Sequence, residues 1–209
     1  AAAPYLAAAG VGKITLVDHD KVELTNLQRQ IMHSQNSIGK SKVESGKQFL
    51  QSVNPTLTIN AIAEKATENL LKELLPAVNL VLDCTDNFAT RQLINAACFN
   101  QKVPLVSGSA LKFDGQLSVF DFRSATSPCY ACLFSPEEQF EEVCCASMGI
   151  FSPLVGIIGA MQAAQALQVL IGFGQPLVGR MLLWNALNTQ IDEIRISRNP
   201  ACKVCGSQH

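Results

Sequence analysis

At 209 residues, 48% hydrophobic and 16% charged, the chain can bury a sizeable core in one domain. Its formal net charge of −1 lacks the basic excess of a nucleic-acid-binding domain, and no run of like charge marks a solvating tail. Eight cysteines in a chain this long do not make a small secreted disulfide scaffold, and the first residues carry no signal-like pattern, so a cytoplasmic protein with reduced thiols is expected.

Taken in chain order, "KITLVD" (13–18) is a short β-branched run and reads as a strand. "SKVESGKQFLQSVNP" (41–55) places Val43, Phe49, Leu50 and Val53 on one helical face and stops at Asn54-Pro55. "LTINAIAE" is strand-like, "TENLLKELL" a capped helix, and "VNLVLDCTD" a buried parallel strand ending in polar residues. A helix over "NFATRQLINAACFNQ" and a strand over "VPLVSGSA" follow. This alternation predicts an α/β protein with a Rossmann-like, doubly wound and mostly parallel sheet. "GQLSVFDF", "GRMLLWNA" and "QIDEIRIS" extend it as antiparallel strands. Between the first and second of these, "SPLVGIIGAMQAAQALQVLIGFG" is interrupted by Gln162, Gln165 and Gln168 and reads as a buried helix rather than a membrane span. Cys84 and Cys98 lie in apolar segments and are predicted to be small core residues.

The remaining cysteines include two C-x-x-C pairs, Cys129/Cys132 in "PCYACLF" and Cys202/Cys205 in "ACKVCG". Two disulfides, two redox motifs or two halves of one metal site all fit such spacing. In a reduced compartment two pairs favour zinc, because clustered thiolates otherwise repel or oxidise. Four protein ligands leave no open position, so the zinc would be structural and would pin the C-terminal end to the middle of the chain. The chemistry must then lie elsewhere.

In open α/β sheets, ligands bind beyond the carboxyl ends of the strands. Asp18 and Asp20 stand at one such end and Asp86 at another. Acids there can simply cap strands at the surface; an acid ending a strand of a nucleotide-binding fold also binds ribose hydroxyls. "DKVELTNLQRQ" adds Asn26, Gln28, Arg29 and Gln30, and "GKSK" adds Lys40 and Lys42. Cations and amides of this kind suit a polyphosphate, and Asp86 suits its Mg²⁺.

"LVDHDKVELTNLQRQ", "GKSKVES", "LVLDCTDN", "VPLVSG", "GQLSVF", "CYACL", "PLVGIIGAMQAAQAL" and "CKVCG", in that order, resemble the ThiF/MoeB/HesA family, relatives of ubiquitin-activating enzymes. The resemblance implies a single adenylation domain over 1–209, with a zinc half-site and crossover loop at 129–145. It implies a homodimeric adenylyltransferase that uses Mg-ATP to activate the C-terminal Gly-Gly of a ubiquitin-like sulfur carrier. Thiamine and molybdopterin biosynthesis are both open, with a sulfurtransferase or cysteine desulfurase as a further partner. Family members begin with a helix, a first strand and a G-x-G-G-x-G turn, whereas this sequence starts just past that turn. The sequence is therefore expected to omit an N-terminal part. If it did not, a catalytically degenerate zinc-binding scaffold or interaction protein would be the alternative.

Carried over to these positions, Asp18 binds the ribose, and Asn26, Arg29, Gln30 and Lys42 face the phosphates, with Arg29 stabilising the transition state. Asp86, flanked by Thr85 and Asn87, positions Mg²⁺. Cys145 matches the cysteine that thiamine-type relatives use in sulfur transfer.

Overall fold

A computed structural model describes residues 1–137 and 149–206. The second half of the expected crossover loop, including Cys144 and Cys145, lies outside the described residues. The chain opens with helix α1 (Ala2–Ala8), then strand β1 (Lys13–Val17), and short 3₁₀ turns at Leu24–Asn26 and Gln35–Ser37. Helix α2 (Lys42–Val53), β2 (Thr58–Ile62), α3 (Glu68–Leu74), β3 (Val81–Asp83), α4 (Phe88–Gln101), β4 (Leu105–Leu111) and β5 (Asp114–Phe120) follow. Then come the short α5 (Tyr130–Leu133), the long α6 (Ser152–Ile171), β6 (Arg180–Asn185) and β7 (Gln190–Arg195).

The starts and stops have local causes. Thr67 caps α3 by accepting from the Leu70 N–H, and Asn87 caps α4 by accepting from the Thr90 N–H. Gly172 ends α6 in the left-handed conformation, with its N–H on the Gln168 carbonyl.

The strands form two sheets rather than the single doubly wound sheet expected. β1 pairs in parallel with β2, and a five-stranded sheet runs in the order β3-β4-β5-β6-β7. Only β3–β4 is parallel there; the other three pairings are antiparallel, as the sequence pattern predicted. No ladder joins β1 to β3 among the described residues. Packing joins the two sheets instead, because α1 packs against both α2 and α6. Leu6 belongs to the cluster that includes Ile14, Leu80 and Leu82, while Ala7 packs with Leu50, Leu57 and Leu16.

α6 is apolar almost all round, and by length and composition it could cross a membrane. In this fold it is the central core helix. Leu154, Ile158, Gln162, Ala163, Ala166 and Val169 are buried on β4, β5 and α1, whereas Leu170 and Ile171 at its end are exposed. Two glycines on the sheet let it approach: a Cβ on Gly108 would lie 2.4 Å from Gln162 Cδ, and one on Gly115 would lie 2.6 Å from Ile158 Cδ1.

Two side chains depart from expectation. Val53 is exposed although the pattern placed it on the buried face of α2. It is the last residue of the helix, where the chain turns away at Asn54. Cys98 is fully buried, and burial pushes its thiol up to about 12. Cys84, expected in the core, is exposed. It directly follows Asp83, the last residue of β3, where the strand ends.

Candidate functional site

Asp18 and Asp20 lie just beyond the carboxyl end of β1, and Lys42 opens α2 beside them. The Asp18 backbone N–H donates to the Ile62 carbonyl, and its Oδ1 accepts from the Asp20 N–H at 2.8 Å. Lys42 Nζ sits 2.8 Å from Asp20 Oδ2 and 3.9 Å from Asp18 Oδ2, with only 13% of its side chain exposed. The hydrogen bond from Lys42 is the main cause holding the Asp20 carboxyl below its usual range. The structure thus brings Asp18 and Lys42 together, and gives Asp20 a role the motif reading had not singled out.

Asn26, Arg29 and Gln30 are organised by one turn. Asn26 is buried; its Oδ1 accepts from the Glu23 N–H, and its carbonyl accepts from the N–H groups of both Arg29 and Gln30. Gln30 Oε1 is buried with no hydrogen-bond partner. The Arg29 guanidinium donates to the Thr25 carbonyl at 3.1 Å and has no carboxylate partner among the described residues. Its charge is available for an anion.

Beyond β3, Asp83 is buried and fully engaged. Its Oδ1 accepts from the N–H and hydroxyl of Thr85 at 2.9 and 2.7 Å, and its Oδ2 from the Ser107 hydroxyl at 3.2 Å. That pairing turns the chain so that Asp86 projects outward, exposed, with its carboxylate free of hydrogen bonds and ion pairs among the described residues. Asn87 is spent on capping α4. Arg91, absent from the sequence reading, and Gln162, read there only as a polar interruption of an apolar helix, hold this turn. Arg91 donates to the Thr85 carbonyl, and Gln162 Nε2 reaches from α6 to the carbonyls of Asp83 at 2.9 Å and Val106 at 3.4 Å. No hydrogen bond or ion pair among the described residues joins Asp86 to Asp18, Arg29 or Lys42.

The four C-x-x-C cysteines converge. Cys129 Sγ is 3.6 Å from Cys202 Sγ and 3.9 Å from Cys132 Sγ, which is 3.3 Å from Cys205 Sγ; all four lie within 4.8 Å of one another. A disulfide needs sulfurs about 2.05 Å apart. Thiolates about 2.3 Å from a tetrahedral zinc stand about 3.8 Å apart, so the spacing has metal-site dimensions. Cys132 is pulled down to about 4, chiefly by the Cys129 side chain and also by the N–H groups of Asn199 and Cys129; burial lifts Cys205 to about 11. Gly206 completes the second knuckle: its N–H bonds the Cys202 carbonyl at 2.9 Å, and a Cβ there would come within 2.4 Å of that oxygen.

These features define an α/β domain with acids and cations at strand ends and a separate four-cysteine cluster. The ThiF family model matches residues 1–204, and the chain belongs to the ThiF family. It is 44% identical to the Escherichia coli molybdopterin-synthase adenylyltransferase over 208 residues, covering 99% of this chain and 82% of the relative. It is 39% identical to the Thermus thermophilus sulfur carrier protein adenylyltransferase, covering 98% of this chain and 77% of the relative. Both are adenylyltransferases, the enzyme class that the motifs implied. A crystal structure of E. coli MccB with succinimide superposes with a TM-score of 0.85 at 23% identity, covering 99% of this chain and 62% of MccB, and shows the shared fold.

Proposed function

We propose that this chain adenylates the C-terminal Gly-Gly of a ubiquitin-like sulfur carrier protein, consuming ATP and releasing pyrophosphate, on the route to molybdopterin. The observations that carry the reading are a cation, Arg29, and a carboxylate, Asp86, each without an ionic partner among the described residues of a chain that belongs to the ThiF family. The identity with the molybdopterin-synthase adenylyltransferase favours that route over thiamine.

A carrier's terminal carboxylate has a pKa of about 3.5 and is already ionised at neutral pH, so no general base is needed. Its oxygen forms a bond to the α-phosphorus while the bond to the α–β bridging oxygen breaks and pyrophosphate leaves. The task is to align two anions and offset their repulsion, which is positioning and electrostatics. Asp18 holds the ribose. Arg29 faces the phosphates with Asn26 and Gln30, whose buried, partnerless oxygen can accept a hydrogen bond there. Lys42, buffered by Asp20, balances charge beside them. Asp86, in the Thr85–Asn87 turn, offers the hard oxygen that would hold a Mg²⁺, which would supply positive charge against the phosphates. Cys129, Cys132, Cys202 and Cys205 hold one structural Zn²⁺. The protein acts as a cytoplasmic homodimer and hands its acyl-adenylate to a sulfurtransferase or cysteine desulfurase.

Incubation with ATP and separately purified carriers tests this by mass spectrometry of the carrier. A molybdopterin-type carrier should gain one AMP, and the same carrier lacking its last glycine should not. AMP on a thiamine-type carrier alone would overturn the route, and AMP on neither would overturn the activity.

A further inference from the structure

The four-cysteine cluster poses a charge problem. Four thiolates around Zn²⁺ carry a net charge of −2, and a buried charge of that size needs hydrogen-bond donors on its sulfurs. Cys132 has them: the N–H groups of Cys129 and Asn199 each approach its sulfur to 3.4 Å. Cys129 is the fully buried member of its pair, at 0% exposure, and among the described residues no backbone N–H reaches its sulfur.

One donor is left over nearby. Asn95, on α4, is also at 0% exposure. Its Oδ1 accepts from the N–H of Tyr130, the residue that follows Cys129, at 2.9 Å. Its Nδ2 is buried and makes no hydrogen bond among the described residues. A buried amide N–H without an acceptor is destabilising, and that penalty disappears once a thiolate is there to receive it.

We propose that Asn95 is the outer-sphere donor to the metal site, its Nδ2–H bonding the Cys129 thiolate when Zn²⁺ is held. This rests on reading the cluster as a zinc site. One turn earlier on the same helix, Gln92 Nε2 donates to the Phe134 carbonyl at 2.6 Å, past the end of α5, rather than to a cysteine sulfur. α4 begins at Asn87, next to Asp86, and Arg91 ties it to the Thr85 carbonyl. Asn95 therefore joins the metal cluster to the helix that presents the Asp86 turn.

Two measurements test the assignment without relying on activity. In protein reconstituted with ¹¹³Cd²⁺, the Asn95 side-chain amide protons should show scalar coupling to the metal across the N–H···S bond; its absence in a loaded site would overturn the proposal. In competition with a chromophoric chelator, Asn95→Asp keeps the acceptor for Tyr130 but loses the donor, and should bind Zn²⁺ about 10–100-fold more weakly. Gln92→Glu makes the same amide-to-acid change one turn away and should stay within about threefold of wild type. Equal weakening in both variants, or none in Asn95→Asp, would overturn the role of Asn95 while leaving the zinc site intact. Wild-type protein that takes up no Zn²⁺ or Cd²⁺ would overturn the site itself.

Discussion

Gly108→Ala is expected to unfasten the Asp83–Asp86 turn without touching any ligand-binding group. An added Cβ would lie 2.4, 2.7 and 2.8 Å from Cδ, Nε2 and Cγ of Gln162, well inside contact distance. Gln162 can swing away only by surrendering its hydrogen bonds to the Asp83 and Val106 carbonyls. At about 1 kcal/mol per bond, with a buried amide left partly unsatisfied, the loss should be roughly 2–4 kcal/mol. For a domain of this size that lowers Tm by roughly 5–15 °C. Thermal and urea unfolding would measure it. Gln162→Ala alone should cost a similar amount, and the double variant should cost no more than Gln162→Ala, since the clash is gone. A Gly108→Ala protein within about 0.5 kcal/mol of wild type, or strictly additive losses, would refute the reasoning.

Asp86→Ala should lower carrier adenylation by about 10²–10³-fold or more while leaving Tm nearly unchanged, because the exposed carboxylate bonds nothing in the fold; single-turnover kinetics alongside melting would show whether the two separate. Arg29→Ala should act mainly on the chemical step, so kcat should fall more than carrier KM rises; the reverse pattern would make Arg29 a carrier contact. Asp20 is depressed by Lys42, so its contribution is complete above the unfolded carboxylate pKa near 3.8 and fades as pH drops through the lower folded value. Stability measured between pH 6 and pH 2 should therefore fall less steeply in Lys42→Met than in wild type, by under about 1 kcal/mol because the Asp20 carboxylate is half exposed; identical slopes would contradict it. Cys202→Ser should lower Tm and release zinc, and loss of adenylation at unchanged stability would contradict a structural role.

What the sequence disclosed is what depends on local pattern. Strand runs, the capped helix at Thr67 and the Gln-interrupted helix α6 follow from spacing along the chain, and the two C-x-x-C pairs announce their meeting through chemistry. What it concealed depends on long-range approach. Gln162 looks like any polar interruption of an apolar helix until Gly108, far away in sequence, shows why its amide reaches the sheet. Arg91 and Asn95 are ordinary helical polar residues until α4 is set against the Asp86 turn on one side and the cysteine knuckle on the other. Cys84 was misplaced for a related reason: an apolar neighbourhood in sequence does not reveal that β3 ends at Asp83 and leaves the next side chain exposed. Val53 failed at a helix end, where the 3.6-residue period stops applying.

The central claim is that this chain forms a carrier acyl-adenylate, and ATP–pyrophosphate exchange reads that step alone. Labelled pyrophosphate should enter ATP only when a Gly-Gly-ended sulfur carrier is present, with the label lost on truncation of the carrier and in both Arg29→Ala and Asp86→Ala. Exchange that proceeds without a carrier, or that survives both substitutions, would contradict the account.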